Sequence, residues 1–174
     1  MDQKPLVGIV MGSDSDLPVM AEATAVLEEF GVVCEISVAS AHRAPALVHE
    51  YSSSASSRGI KVMIAAAGGA AHLAGVMAAV TTLPVIAVPI KGKSLDGLDS
   101  LLSMVQMPPG IPVACVGVNA AKNAGLLAVQ ILATNDATLT QKLVDYKKKM
   151  ASDITIKNDK LHSLGVKAYL EGQK

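Results

Sequence analysis

Residues 62–90 read VMIAAAGGAAHLAGVMAAVTTLPVIAVPI, 29 consecutive positions without an Asp, Glu, Lys or Arg. A run of this length and hydropathy is long enough to cross a bilayer. Gly68-Gly69 and Pro84 interrupt it, however, His72 sits inside it, and no basic cluster flanks one end. A buried strand–loop–helix–strand unit accounts for it better. Ile60–Ala66 reads as a strand, and its unbroken apolar part from Val62 onward has the pattern of one covered on both faces. Residues 71–82 are helical by propensity, and Pro84–Val88 supplies the next strand.

The same alternation extends in both directions. Upstream, Leu6–Met11 is a short apolar strand closed by Gly12. In the helix predicted over Asp16–Phe30, Val19, Ala23, Val26, Leu27 and Phe30 share one face, and Gly31 is its stop. Val32–Ala39 reads as a strand, and Pro45 opens a helix running to Arg58 before Gly59. Downstream come a short helix near 96–105, a Met107-Pro108-Pro109-Gly110 turn, a strand over Pro112–Val118 and a helix over 119–133. Five strands alternating with helices through short connections imply an α/β fold, a parallel sheet covered on both faces. From Asp136 the composition changes. Leu139, Leu143, Tyr146 and Met150 recur every three to four residues among Lys and Asp, a narrow apolar stripe on a helix. We expect one domain over 1–174, with an α/β core at 5–133 and a helical arm at 136–170 that packs against another subunit.

The chain has 174 residues, and its 15 Lys and Arg balance 15 Asp and Glu. Its core must come from Ala, Val, Leu, Ile and Met, because 51% of residues are hydrophobic but only 2% aromatic. A chain this long buries roughly two thirds of its unfolded surface, so folding requires no disulfide or metal staple. Zero net charge argues against a nucleic-acid binder, which normally carries a net basic surface, and the apolar content excludes a disordered chain. Cys34 and Cys115 lie in apolar runs without C-x-x-C or zinc spacing, as expected of reduced core cysteines. The first residues, MDQKPLVGIVM, lack the pattern of a signal peptide, so we expect a cytoplasmic protein without a membrane segment.

In an open parallel sheet, ligands bind beyond the carboxyl ends of the strands, where strand order reverses. Three loops fall there. Gly12-Ser13-Asp14-Ser15-Asp16 leads into a helix N-terminus whose free N–H groups can hold a phosphate. Its two carboxylates oppose that use, so Asp16 either caps the helix or accepts hydrogen bonds from ribose hydroxyls; a simple capped turn is the alternative. Ser40-Ala41-His42-Arg43 sets an imidazole, which can move protons near neutral pH, beside a guanidinium suited to phosphate or carboxylate. A purely structural histidine is the competing reading, and His49 belongs on the surface. Gly68-Gly69-Ala70-Ala71-His72 lets backbone approach a ligand closely, with His72 either orienting that ligand or capping the next helix. No Walker lysine, G-x-G-x-x-G, H-E-x-x-H or G-x-S-x-G motif is present.

Together these loops resemble class I PurE, the N5-carboxyaminoimidazole ribonucleotide (N5-CAIR) mutase family of purine biosynthesis. Further matching stretches are Ala67–Leu73, Asp99–Pro108, Asn123–Ala128 and Gln130–Ala133, and the similarity runs in register from Pro5 to about Ala133. The resemblance implies a flavodoxin-like three-layer α/β/α sandwich with strand order 2-1-3-4-5 and a projecting C-terminal helix. It implies a homo-octamer with active sites between subunits, the substrate N5-CAIR, and no metal, ATP or organic cofactor. Carried over by position, Ser13, Asp16 and Arg43 bind the nucleotide, and Ser15, Ser40 and Ala41 line the site. His42 is the general acid/base, and Gly69, His72 and Leu73 complete the pocket. The chain departs from the family pattern at Ala44 (usually Thr), Ala46 (usually Asp) and Ala74 (usually Pro), the last of which is expected to loosen a loop near the CO2 site. Arg43, where class II relatives carry Lys, favours the mutase over direct carboxylation of aminoimidazole ribonucleotide. A nucleotide sensor on the same fold is the non-enzymatic alternative.

Overall fold

The computed structural model describes residues 4–173. Strand β1 (Val7–Met11) is buried at every position, as an uninterrupted apolar run requires at the centre of a sheet. The chain then alternates through helix α1 (Leu17–Phe30), β2 (Cys34–Val38), α2 (Pro45–Arg58), β3 (Val62–Gly68), α3 (Leu73–Val80) and β4 (Val85–Ile90). It continues through α4 (Leu98–Val105), β5 (Ala114–Cys115), α5 (Ala121–Ala133) and the long α6 (Ala137–Glu171). The strands form one sheet in the order β2-β1-β3-β4-β5. All pairs are parallel, with Val7 opposite Cys34 and Val62, Met63 opposite Val85, and Ile86 opposite Ala114. This is the flavodoxin-like order expected.

Side chains alternate across the pleat into two cores. Val7, Ile9, Met11, Ile64 and Val88 face α1 and α5, whereas Val10, Met63, Ala65 and Ala87 face α2, α3 and α4. Each fully buried aliphatic side chain contributes about 1.5–3 kcal/mol of transfer free energy. With so few aromatics, the layers close by bringing small residues together. Gly125 of α5 lies against α1, where an added Cβ would stand 3.0 Å from the Ala23 carbonyl oxygen and 3.2 Å from the Val26 Cβ. Gly8 of β1 makes room for the Tyr51 hydroxyl in the same way, at 2.6 Å from a would-be Cβ. Arg58 stacks over the Tyr51 ring at 4.5 Å and pairs with Glu35 at 2.8 Å. Burial pushes the Tyr51 hydroxyl well above its ordinary range.

Several expectations need correction. The predicted strand over Pro112–Val118 contracts to Ala114–Cys115, because this edge segment pairs with β4 alone and only across two positions. The helix predicted over 71–82 starts at Leu73 and ends at Val80. Cys34 and Cys115 are free but only half-buried, at the margins of the two cores, and burial pushes both thiols up. The apolar stripe of the tail also divides. Asp136 caps α6 by accepting from the Thr138 and Leu139 amides at 2.8 and 3.0 Å, and Leu139, Leu143 and Tyr146 pack onto the protein's own core. The Tyr146 ring lies 5.6 Å from that of Phe30, and Lys142 donates to the Phe30 carbonyl at 2.6 Å. Met150, by contrast, is 45% exposed, and residues 147–168 are exposed throughout. Gly165, at φ 73° and ψ 165°, kinks the helix near its end. Among the described residues no helix is long and apolar enough to cross a membrane, and residues 62–90 form β3, α3 and β4.

Candidate active site

Strand β1 pairs with β2 on one side and β3 on the other, so the loops leaving these three strands meet at the sheet's switch point. They enclose a cavity of about 420 Å³, ample for a small ligand. Ser13, Ser15, Asp16, Ser40, Ala41, His42, Arg43, His72 and Leu73 all line it. Gly69 does not. Its φ of 64° turns the chain between the two lining residues Gly68 and Ala70, a conformation that favours glycine. Gly12 and Ala67 also line the cavity. Both fall within candidate stretches of the sequence but were given no role in the site, because their contribution is backbone and a methyl group, which carry no chemical signature in a sequence.

The first loop is a hydrogen-bonded knot. Ser13 Oγ accepts from the Ser15 amide at 3.3 Å and donates to Asp14 Oδ1 at 3.2 Å. The single Ser15 hydroxyl proton lies within reach of Ser13 Oγ at 2.9 Å and Asp16 Oδ1 at 3.2 Å. Asp16 precedes α1 without capping it by a side-chain hydrogen bond; Ser13 instead caps the intervening 3-10 turn, Asp14–Asp16. Asp16 is only 7% exposed, and burial raises its carboxyl pKa against the opposing hydrogen bond from Ser15. A desolvated carboxylate with unused lone pairs suits a ligand that brings hydroxyl donors.

In the second loop Ser40 Oγ accepts from both the Arg43 backbone amide and Nε at 3.3 Å, while Arg43 Nη2 donates to the Gly12 carbonyl at 3.0 Å. The guanidinium is thereby tied to the end of β1, leaving further N–H groups for an anion. Arg43 and Asp16 are the cavity's charged Arg/Lys and Asp/Glu residues. Helix α2 begins behind this loop with Ala44 as an uncapping N-cap and no acid in its first turn. From the third loop comes a feature the sequence did not disclose. His72 does not cap α3; its Nδ1 lies 2.8 Å from His42 Nε2, with the rings edge to face at 77°. His49 is exposed on α2, outside the cavity. Ala74, expected to loosen a neighbouring loop, is the second residue of α3 and fully buried, so it packs in the core. Among the described residues no three His, Cys, Asp or Glu side chains gather closely enough to hold a metal ion.

A cavity that combines an anchored arginine, a desolvated aspartate and paired histidines can bind a phosphorylated, hydroxylated ligand and move a proton on it. Comparison with known proteins agrees with that chemistry. The profile of the AIR carboxylase family matches residues 6–153. The N5-carboxyaminoimidazole ribonucleotide mutase of Pyrococcus abyssi is 60% identical over 168 residues, covering 97% of each chain. The phosphoribosylaminoimidazole carboxylase of Saccharomyces cerevisiae is 55% identical over 98% of this chain, which spans only 30% of that longer protein. A solved structure of Treponema denticola PurE superposes with a TM-score of 0.79 at 31% identity, covering 90% of this chain and 98% of that one. The chain belongs to the AIR carboxylase family, in its class I PurE branch.

Proposed function

We propose that the protein is an N5-CAIR mutase, an isomerase that converts N5-CAIR into 4-carboxy-5-aminoimidazole ribonucleotide in purine biosynthesis. The observation that carries this reading is the convergence of His42, Arg43 and the Ser13–Asp16 loop in one cavity, in a chain 60% identical to a mutase over 97% of its length. Arg43 and the amides at the start of α1 take the phosphate, and Asp16 and Ser13 take the ribose hydroxyls. Ser15, Ser40, Ala41 and Leu73 shape the pocket, and Gly69 sets its third loop.

His42 is the general acid/base. The carbamate C–N bond breaks, its electron pair returns to nitrogen, and that nitrogen takes a proton from His42 while CO2 departs. The ring then forms its new C–C bond to CO2 through C4, and His42 takes the C4 proton. The proton count closes, and the reaction consumes neither oxidant nor reductant. The small surface of Gly68 and Ala70 keeps CO2 beside the ring until it is captured.

We assign the exposed part of α6 to assembly, as a homo-octamer in the cytoplasm. Its apolar residues Ile154, Ile156, Leu164 and Val166 face solvent in the isolated chain, and the helix carries seven Lys against four Asp and Glu. Residues 1–136 carry the opposite excess, eleven acids against seven bases, which favours docking of one copy's arm on another's body.

The test supplies N5-CAIR without ATP or added bicarbonate. Rapid appearance of the C4-carboxylated isomer supports the mutase. Turnover only of aminoimidazole ribonucleotide with CO2 makes it a carboxylase, and binding without turnover makes it a sensor.

A further inference from the structure

We infer that Asp14 restricts this site to nucleoside monophosphates, by opposing with its charge any phosphate chain that continues past the first group. The inference rests on the phosphate and ribose assignments of the mutase reading and goes beyond them. Ser13-Asp14-Ser15-Asp16 sets two carboxylates beside a seat for an anion, and the ribose needs only one of them. The two line different spaces. Asp16 lines the cavity of about 420 Å³ together with His42, whereas Asp14 lines a second one of about 340 Å³. Gly12, Ser13, Ser40 and Arg43 line both, so these residues form the wall between them. Arg43 is fixed in that wall by its bonds to the Gly12 carbonyl and Ser40 Oγ. With the ribose on Asp16 and the ring at His42, a 5′-phosphate on Arg43 stands where the two spaces adjoin. A monophosphate ends there. A diphosphate places its outer group beyond Arg43, away from the ribose and toward Asp14.

Space does not exclude the longer chain, because the second cavity is larger than one phosphate group requires. Charge does. Among its lining residues Arg43 is the sole cation and Asp14 the sole anion, with Val38 and Leu47 supplying apolar wall. The first phosphate occupies Arg43, so an outer phosphate meets Asp14 with no cation left to offset it. Asp14 takes part in no salt bridge among the described residues. Ser13 Oγ donates to its Oδ1 at 3.2 Å, which holds the carboxylate in place without neutralising it. Like charges about 6 Å apart at an effective dielectric of about 40 repel enough to change a dissociation constant about tenfold. An unpaired charge facing the wrong ligand is a general source of specificity. It has a use here, because nucleoside di- and triphosphates share the ribose and first phosphate that Asp16 and Arg43 bind.

The experiment uses the full chain and measures, by calorimetry at low salt without divalent cations, the dissociation constants of 5-aminoimidazole-4-carboxamide riboside 5′-monophosphate and 5′-diphosphate. The unmodified protein should bind the monophosphate at least about tenfold more tightly. Asp14→Asn, checked for native circular dichroism, should bring the two within about threefold by tightening the diphosphate, whereas Asp14→Glu should keep the discrimination. Salt at about 1 M, where the screening length falls to about 3 Å, should narrow the gap in the unmodified protein and leave that of Asp14→Asn nearly unchanged. Equal binding of both nucleotides by the unmodified protein overturns the proposal. So does undiminished discrimination in Asp14→Asn, which would assign the exclusion to space, or its loss in Asp14→Glu as well, which would assign it to geometry. Failure to bind the monophosphate at all removes the phosphate seat and the proposal with it. Failure to convert N5-CAIR would instead refute the mutase reading, and the two dissociation constants would still report the discrimination.

Discussion

Burial raises the carboxyl pKa of Asp16, so the native state holds its proton at pH values where the unfolded chain has released it. Stability from this group is therefore complete below the ordinary carboxylate range and is lost as pH rises through the raised value. Asp16→Asn should raise the thermal midpoint at pH 7, and the gain should fade on acidification toward pH 4; the same variant should weaken nucleotide binding in calorimetry. His42→Asn separates binding from chemistry at the neighbouring loop. It should retain product affinity while losing about 10²–10⁴-fold in kcat, measured by single-turnover conversion of N5-CAIR; near-normal turnover would remove His42 from its assigned role.

At the scale of elements, two helices expose how this fold economises on bulk and on caps. The α1–α5 interface closes because Gly125 presents no side chain to the Ala23 backbone. A methyl group there must displace backbone rather than a flexible side chain, so Gly125→Ala should destabilise by about 1–3 kcal/mol, read as a shift in the urea midpoint at constant slope. Helix α2 has the opposite character, with a first turn free of both side-chain caps and acids. Ala46, exposed at its second position, should tolerate Ala46→Asp with a gain of about 0.3–1 kcal/mol from the helix dipole. That carboxylate would stand near Arg43 in sequence, and weaker phosphate affinity is the expected accompanying cost.

For the whole molecule, α6 divides into two parts along its length. Its first turns complete the core through Leu139, Leu143 and Tyr146, whereas everything from Lys147 to Ala168 is exposed in the isolated chain. Removing residues 151–174 should leave far-UV circular dichroism of the core and its cooperative melting intact while abolishing the high-mass species in native mass spectrometry or light scattering. An unchanged assembly would place the contacts elsewhere, on the exposed Leu98, Leu102 and Val105 of α4 or the Ile36 and Val38 of edge strand β2.

Much of this architecture is local in origin and could be read from the chain alone. Uninterrupted Val, Ile and Ala runs mark strands covered on both faces, Pro45 and Gly59 bracket α2 to the residue, and the fold class follows from their alternation. The cavity's polar residues were legible for the same reason, as each interrupts an apolar run just where a strand ends. What the local pattern could not settle depends on which distant segments meet. The length of β5 depends on how far β4 accompanies it, and the division of the α6 stripe depends on where α1 and α5 offer a surface. The pairing of His42 with His72 is of this kind. The two residues are 30 positions apart, and their hydrogen bond exists because β3 lies two places from β2 in the sheet and turns His72 back across its carboxyl end. Residue type told us that an imidazole was present at each loop; only the packed sheet brings two nitrogens to the distance at which they share one proton.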